Sequence, residues 1–407
     1  MSGEHAVIVG ASHAGAQLAT SLRQGGWEGR ISIVGDEATP PYHRPPLSKD
    51  YLAGGKHRDQ LLIRPAALYE KSEIDLVLGS RVTALDRAGK TIILHDGGSI
   101  PYTKLALTTG ARVRKLSLPG CELDGVFYLR DLDDVDRIRG FTGAGKSAVI
   151  IGGGYIGLET AASMRKLGMQ VTVLEALPRV LQRVTAPEVS AFYSRVHAEE
   201  GVNIVTGAAV ASLQGEGSIK AVTLADGSSL AANLVVIGIG VSPATELAEA
   251  AGMEVNNGIV VDEFARTSDP DIVAAGDCTY HYNPTYDCRL RLESVQNATD
   301  QAKTAANTLC GKLEAYHALP WFWSDQYDLK LQIAGLSQGF DRVVLRGSSE
   351  SGRSFAAFYF RAGKLLAVDA VNRPKEFMMT RRALTNRQSA DPAKLADESV
   401  DIQHAFS

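Results

Sequence analysis

Three glycines and one carboxylate form the first group in this 407-residue chain whose types and spacing could do chemistry. Gly152, Gly154 and Gly157 follow the apolar run Val149-Ile150-Ile151, and the next apolar run, Val171 to Leu174, ends in Glu175. In a strand–turn–helix setting the first glycine allows a tight turn, and the second lets backbone N–H groups approach a pyrophosphate. The third lets the helix pack on the sheet. The pyrophosphate then meets the positive end of a helix. Glu175 is placed to accept hydrogen bonds from both ribose hydroxyls and to repel a 2′-phosphate, which favours NAD over NADP. Arg179 and Arg183, just beyond, act against that preference.

An earlier stretch repeats the pattern with one change. Val7-Ile8-Val9 leads into Gly10-Ala11-Ser12-His13-Ala14-Gly15, with serine where the middle glycine belongs. Serine is small enough to let a backbone approach phosphate. The following apolar run, Ile31 to Val34, leads into Gly35-Asp36-Glu37, so an acid again waits for a ribose, and either Asp36 or Glu37 could hold it. His13, on the turn into the helix, reads as a helix-start residue. Two such cradles predict two bound dinucleotides.

Those cradles need two α/β units to hold them, and length and composition agree. A chain of 407 residues suits two to three domains, each with its own core. Its 42 basic and 46 acidic side chains give a net charge of −4, which argues against nucleic-acid binding. No run of about 18 apolar residues is present to span a membrane. The chain enters an apolar strand almost at once, leaving no room for a signal peptide. Cys121, Cys278, Cys288 and Cys310 show neither C-x-x-C spacing nor a metal-ligand pattern, so the expectation is a cytoplasmic protein with ordinary buried thiols and no metal.

Proline-rich Pro40 to Lys49 cannot be a helix interior and reads as a rigid connector fixing Arg44 and Lys49. Leu105 to Ala111 is a strand running into a glycine-bearing loop, and Leu234 to Gly240 repeats that ending. Ile272 to Asp277 reads as a strand with a sharp turn, and Ser294 to Leu309 as a helix. Beyond Trp321, strand-like runs at Leu329 to Ala334, Arg342 to Arg346, Phe355 to Phe360 and Leu365 to Val371 precede a basic helix started by Pro374. The final polar residues read as loosely ordered. The expected architecture is α/β: two Rossmann-like dinucleotide-binding domains, one discontinuous over 1–112 and 245–320 and one inserted over 113–244, with a C-terminal α+β domain over 321–407.

Two longer segments are more specific than either cradle. Arg44-Pro45-Pro46-Leu47-Ser48-Lys49 resembles the R-P-P-L-S-K segment of the FAD- and NADH-dependent ferredoxin reductases that serve bacterial aromatic-ring dioxygenases and cytochromes P-450. Trp323-Ser324-Asp325-Gln326 resembles the F-W-S-D-Q segment opening that family's C-terminal domain. The similarity spans essentially the whole chain and implies a glutathione-reductase-like fold, with FAD in the first domain and NADH in the second. Rubredoxin reductases and apoptosis-inducing factor are related. Ser12 is the departure. The resemblance implies that Gly10, Ser12, Gly15 and one of Asp36 and Glu37 serve the AMP half of FAD. Arg44 and Lys49 would face the pyrophosphate and flavin, and Thr109, Gly110 and Ala111 would form a T-x-G-A-like loop beside the cofactor, with Val82 and Arg130 nearby. Asp277, in an A-A-G-D motif, resembles the aspartate that binds the ribityl chain. Glu293, Ser294 and Val295 would begin a helix aimed at the flavin pyrimidine, where its partial positive charge favours an anionic reduced ring. Trp323 matches a tryptophan near flavin and nicotinamide, whereas Trp321 reads as a core aromatic and Cys278 as packing.

By the same resemblance NADH meets Gly152, Gly154, Gly157, Glu175 and Gly240 and passes a hydride to flavin N5. No side chain need take a proton, because the cofactors carry the chemistry. Glu159 resembles the family's glutamate near the nicotinamide and with Lys49 could form an ion pair; a helix-surface carboxylate is the plain alternative. Lys49, Glu159 and Trp323 are thus the candidates for a direct part in the reaction. Related disulfide reductases need a redox-active cysteine pair, and related NADH oxidases a cysteine shortly after the second strand. Here Tyr42 and His43 occupy that region and no cysteine precedes Cys121, so electrons are expected to leave singly for a two-iron, two-sulfur ferredoxin. A rubredoxin reductase, a flavoprotein like apoptosis-inducing factor and a nucleotide-binding module without turnover are the alternatives. An acidic ferredoxin is expected to dock on Arg289 and Arg291, or on Arg373, Lys375, Arg381 and Arg382.

Overall fold

The computed structural model describes residues 3–407. Its helices are α1 (His13–Gly25), α2 (Ala66–Lys71), α3 (Leu132–Phe141), α4 (Tyr155–Lys166), α5 (Pro187–Glu199), α6 (Glu246–Ala250), α7 (Val295–Leu309), α8 (Pro374–Thr385) and α9 (Pro392–Ala396). Contacts divide the chain into two units. The first holds residues up to 43, 59–112 and 241–320, and the second holds 44–58, 113–240 and 321–407.

In the first unit a parallel sheet runs in the order Ile272–Ala274, Lys104–Leu107, His5–Val9, Arg30–Val34, Ile74–Val77. Its strands are apolar on both faces because both are covered. Ile8 and Ile31 are buried with Leu18 and Leu22 of α1 and Ala302 of α7 on one face. Val7, Leu105 and Ile272 are buried with Ala248 of α6 on the other, where the antiparallel strands Val82–Asp86, Thr91–Leu94 and Ser99–Pro101 add Val82 and Ile92.

His281, also in this unit, sets an acid limit on stability. It is 2% exposed, its ring centroid lies 5.3 Å from that of Tyr316, and neither ring nitrogen has a hydrogen-bond partner among the described residues. Burial, aided by the charge of Arg289, lowers its pKa from 6.5 to about 4. The folded ring stays neutral while the unfolded chain takes up a proton, so stability falls as pH drops from about 6.5 to about 4, by on the order of 3 kcal/mol. His281→Phe should flatten that limb when urea midpoints are compared at neutral and acid pH. Parallel losses in both proteins would contradict the assignment.

The second unit has its own parallel sheet, ordered Val202–Thr206, Gln170–Glu175, Ser147–Ile151, Leu234–Ile237, Val126–Tyr128. From Trp321 onward an antiparallel sheet follows in the order Trp321–Gln326, Leu329–Gly335, Lys364–Val371, Phe355–Arg361, Arg342–Gly347. Alternation along its strands gives two covered faces. Phe322, Ser324, Gln326 and Tyr359 meet α4, α5 and the turn before α5, while Trp321 meets Phe377 of α8. Residues 44–58 join this unit through a hydrogen bond from Tyr51 to Asp136 at 2.6 Å and ion pairs of Arg58 with Asp133 and Asp136, each at 2.6 Å.

The expectation of a loose C-terminal tail is overturned. Asp391 caps α9, Asp401 caps the turn Ile402–Ala405, and Leu395, Ile402 and Ala405 are buried. Buried Arg346 donates to the carbonyls of Leu395, Asp397 and Val400 at 3.3, 2.5 and 2.8 Å. A single guanidinium with five N–H donors can order a polar segment that has little apolar surface of its own.

Candidate functional site

In the second unit Gly152 to Gly157 links the strand Ser147–Ile151 to α4. Gly152 has a φ of 116°, and a Cβ there would lie 2.3 Å from the Gly238 carbonyl oxygen; one on Gly157 would lie 2.0 Å from the Gly152 oxygen. Packing alone demands these two glycines. Gly154 is different. Its φ of −81° suits any residue, and a Cβ there would meet nothing within 4 Å; one on Gly240 would also meet nothing. A bare backbone at the N-terminus of α4 with open space before it fits an approaching pyrophosphate. Glu175 Oε2 accepts from the Gly153 N–H at 2.7 Å and Oε1 from the Leu177 N–H at 2.8 Å. Both oxygens keep a lone pair for a ribose hydroxyl. Arg179 is engaged by Ser190 Oγ at 2.5 Å and the Gln182 carbonyl at 3.1 Å, while Arg183 is exposed.

The first unit repeats the cradle at Gly10 to Gly15. A Cβ on Gly10, where φ is 120°, would lie 2.1 Å from the Thr108 carbonyl oxygen, and one on Gly15 would lie 2.0 Å from the Gly10 oxygen. Thr108, which the sequence reading passed over, closes the cradle from below by donating to the Gly10 carbonyl at 3.0 Å. Ser12 holds the N-cap of α1 in extended backbone without a side-chain cap bond, and His13 is the first residue of that helix. Of the two acids, Glu37 already accepts the Tyr42 hydroxyl at 2.5 Å, whereas Asp36 is exposed. Thr109 donates to the Ala244 carbonyl at 2.6 Å, Gly110 turns with a φ of 70°, and Ala111 and Val82 are buried. The Gly276 N–H donates to Gln301 Oε1 at 2.8 Å, fixing the turn that carries Asp277. Ser294 caps α7 by accepting from the Asn297 N–H at 3.1 Å, so the helix starts at Val295, and Glu293 just before it pairs with Arg291.

Lys49 and Glu159 meet in the second unit. Glu159, one helical turn after Tyr155 on α4, is 1% exposed, which excludes the surface-carboxylate alternative. Its Oε2 accepts from Lys49 Nζ at 2.6 Å and Ser48 Oγ at 2.5 Å, and its Oε1 from Ser324 Oγ at 2.6 Å. A buried charge pair persists only when further hydrogen bonds satisfy the remaining lone pairs. The prolines at 45 and 46 open the short turn Pro45–Ser48 that presents Ser48 and Lys49, and Ser163 Oγ on α4 ties that turn down at the Ser48 carbonyl, 2.7 Å away. Ser48 and Ser324 lie inside the two specific sequence segments, yet only the folded register shows that both hydroxyls reach one carboxylate. Arg44 donates to the Arg130 carbonyl at 2.8 Å.

Trp323 neighbours Ser324 on a strand and therefore projects from the face opposite Glu159. Its ring lies 5.5 Å from Trp321. Trp321 is not the core aromatic expected: it is partly exposed on an edge strand, with the Arg381 guanidinium 5.2 Å above its ring. Cys278 is buried as expected, and burial pushes its thiol pKa up.

The sequence profile of pyridine nucleotide-disulphide oxidoreductases matches residues 4–302, and that of a reductase C-terminal domain matches 321–406. The chain belongs to the pyridine nucleotide-disulphide oxidoreductase family. It is 45% identical to putidaredoxin reductase of Pseudomonas putida over 99% of this chain and 97% of that protein. It is 42% identical to rhodocoxin reductase of Rhodococcus erythropolis over 98% and 94%. The crystal structure of a covalent putidaredoxin reductase–putidaredoxin complex matches with a TM-score of 0.96 at 45% identity, covering 99% of this chain and 98% of that one. Membership makes the protein an oxidoreductase and implies FAD and a pyridine nucleotide. The disulphide part of the family name has no counterpart among the described residues, where all four cysteines are free. No helix among them is long and apolar enough to cross a membrane.

Proposed function

We propose that this protein is an NADH-dependent ferredoxin reductase, delivering electrons singly to a two-iron, two-sulfur ferredoxin that feeds an oxygenase. One observation carries the reading. The chain has two nucleotide cradles and a buried Lys49–Glu159 pair but no paired cysteines, so electrons taken from NADH have no internal disulfide to enter. Putidaredoxin reductase, similar over its full length, has been solved bound to putidaredoxin.

FAD is assigned to Gly10, Ser12, Gly15, Asp36, Thr109, Gly110, Ala111, Asp277 and the start of α7, and when bound it converts one hydride into two single electrons. The resemblance adds Val82 to that assignment. Backbone N–H groups at Gly152 to Gly157, with Gly240, take the NADH pyrophosphate, and Glu175 takes the ribose. Ser48 and Ser324 fix the Glu159 carboxylate, which in turn holds the Lys49 ammonium in one place. Lys49 can then answer negative charge that builds nearby without reorganisation by water. Trp323 is assigned a place near the flavin and nicotinamide from the resemblance alone. None of the assigned flavin positions is a nucleophile suited to a covalent link, so acid precipitation should release all the flavin; colour left in the pellet would count against this. Timing NADH-driven reduction of a panel of ferredoxins and rubredoxins tests the acceptor, and faster turnover with a rubredoxin than with any ferredoxin would overturn it.

The expected basic face shrinks on inspection. Arg291 pairs with Glu293, Arg373 with Glu376 and Glu398, and Lys375 with Asp401. Exposed Arg289, Arg381 and Arg382 remain, the last two on α8 near Met378, which is 67% exposed. Reversing the charge of Arg381 and Arg382 together should raise KM for ferredoxin several-fold and leave KM for NADH alone, while added salt slows ferredoxin reduction but not NADH-to-dye turnover. Insensitivity to both changes would move the docking site elsewhere.

A further inference from the structure

The second unit buries an acid and three tyrosine hydroxyls that the proposed function does not use. Asp369, on the strand Lys364–Val371, has no exposure, and Tyr359 Oη donates to its Oδ2 at 2.5 Å while accepting from the Ala186 N–H at 3.1 Å. Asp369 Oδ1 has no hydrogen-bond partner among the described residues. Neither does Tyr155 Oη, buried at the first residue of α4 although its ring is partly exposed, nor Tyr193 Oη of α5. The charges of Asp369 and Glu159 act on both Tyr155 and Tyr193. Three unmet buried polar atoms, one of them on the acid itself, are costly unless they satisfy one another.

Burial raises the Asp369 pKa from 3.8 to about 7, against the lowering effect of the Tyr359 hydroxyl. A carboxyl group that keeps its proton can donate, whereas an ionised one only accepts. Burial, then the nearby Asp369, holds the Tyr155 and Tyr193 hydroxyls protonated well above the usual tyrosine range, so each can both donate and accept.

We propose that Asp369, as a neutral acid, is a positioning residue for the Lys49–Glu159 pair: it joins Tyr155 and Tyr193 into one hydroxyl cluster that fixes the first turn of α4, and on losing its proton it adds a second buried negative charge within reach of that turn. The inference rests on the role proposed for Glu159. Tyr359 of the neighbouring strand bonds Asp369 directly; Tyr155 of α4 and Tyr193 of α5 feel its charge, and both feel that of Glu159 on α4 as well. His197 of α5 is engaged by Gln326, and Asp325 acts on Tyr193. Helix α8 covers the other face, its Glu376 paired with Arg346 and its Arg381 over Trp321. No basic side chain among these faces the acid to pull its pKa back down.

The test uses the flavin-loaded protein, with Asp369→Asn and Tyr359→Phe. A raised folded pKa means that the stability Asp369 contributes is full below its ordinary 3.8 and is lost as pH rises towards about 7. The unfolding midpoint of the wild type should therefore fall relative to Asp369→Asn across that range. The rate of flavin reduction by NADH in the wild type should drop several-fold through the same inflection, Asp369→Asn should hold the acid-side rate throughout, and Tyr359→Phe should move the inflection to higher pH. Identical stability profiles for wild type and Asp369→Asn would overturn the proposal, as would a rate inflection that survives in Asp369→Asn. If Glu159→Gln reduces flavin at the wild-type rate, the reading of the pair itself fails; the stability comparison still reports Asp369 separately, so the two failures are distinguishable.

Discussion

Glu175→Ala should lower the preference for NADH over NADPH by on the order of a hundredfold in kcat/KM. A 2′-phosphate brought against a fixed carboxylate is a like-charge contact of several kcal/mol, and each 1.4 kcal/mol is about a factor of ten. The carboxylate cannot relieve the contact by turning away, because the Gly153 and Leu177 N–H groups hold one oxygen each. Arg179 does not offset it, being bound to Ser190 and the Gln182 carbonyl. Alanine leaves those two N–H groups without their acceptor, at about 1–3 kcal/mol for each one that stays buried, so the ratio of the two cofactors in one preparation is the proper measure. Adding Ser190→Ala, which removes one of the two contacts holding Arg179, should raise NADPH use further. A ratio unchanged from wild type in Glu175→Ala would remove Glu175 from the ribose site.

What the sequence made legible was whatever a local backbone demands. Gly152 and Gly157 are required by clashes with their own neighbours, so spacing alone reveals them, and the prolines at 45 and 46 announce a turn without reference to the rest of the chain. Gly154 adds functional information because packing gives no reason for it. Between Asp36 and Glu37 the sequence offers nothing to choose; folding brings the Tyr42 hydroxyl to Glu37 and leaves Asp36 exposed, which is why Asp36 is the acid proposed for the ribose. The same limit hid the donors to Glu159: Ser48 and Ser324 are 276 positions apart (324 − 48) and meet one carboxylate through tertiary structure alone. Trp321 was misjudged because size and apolarity say nothing of whether a strand lies at an edge. The tail was misjudged because its order comes from Arg346, far back in the chain, and not from its own composition.

Lys49→Met should cost stability far out of proportion to the single contact it removes. Glu159 would be left at 1% exposure with only the Ser48 and Ser324 hydroxyls as donors, and breaking a buried pair from one side typically costs about 3–5 kcal/mol. Glu159→Gln should cost less, because the Lys49 side chain is 16% exposed and its ammonium also reaches the Pro45 carbonyl at 3.3 Å. The double change Lys49→Met with Glu159→Leu should recover most of the loss, since apolar residues of similar volume replace a buried pair at little net cost. Hydride transfer should behave differently. If the pair answers charge at the reacting rings, Lys49→Met, Glu159→Gln and the double change should each slow NADH-driven flavin reduction by about tenfold or more, with no recovery in the double. Urea denaturation and stopped-flow reduction on the same four proteins separate the two effects: stability restored while the rate stays low is the result of a working pair, whereas a rate restored together with stability would mean that Lys49 and Glu159 only hold the turn against α4.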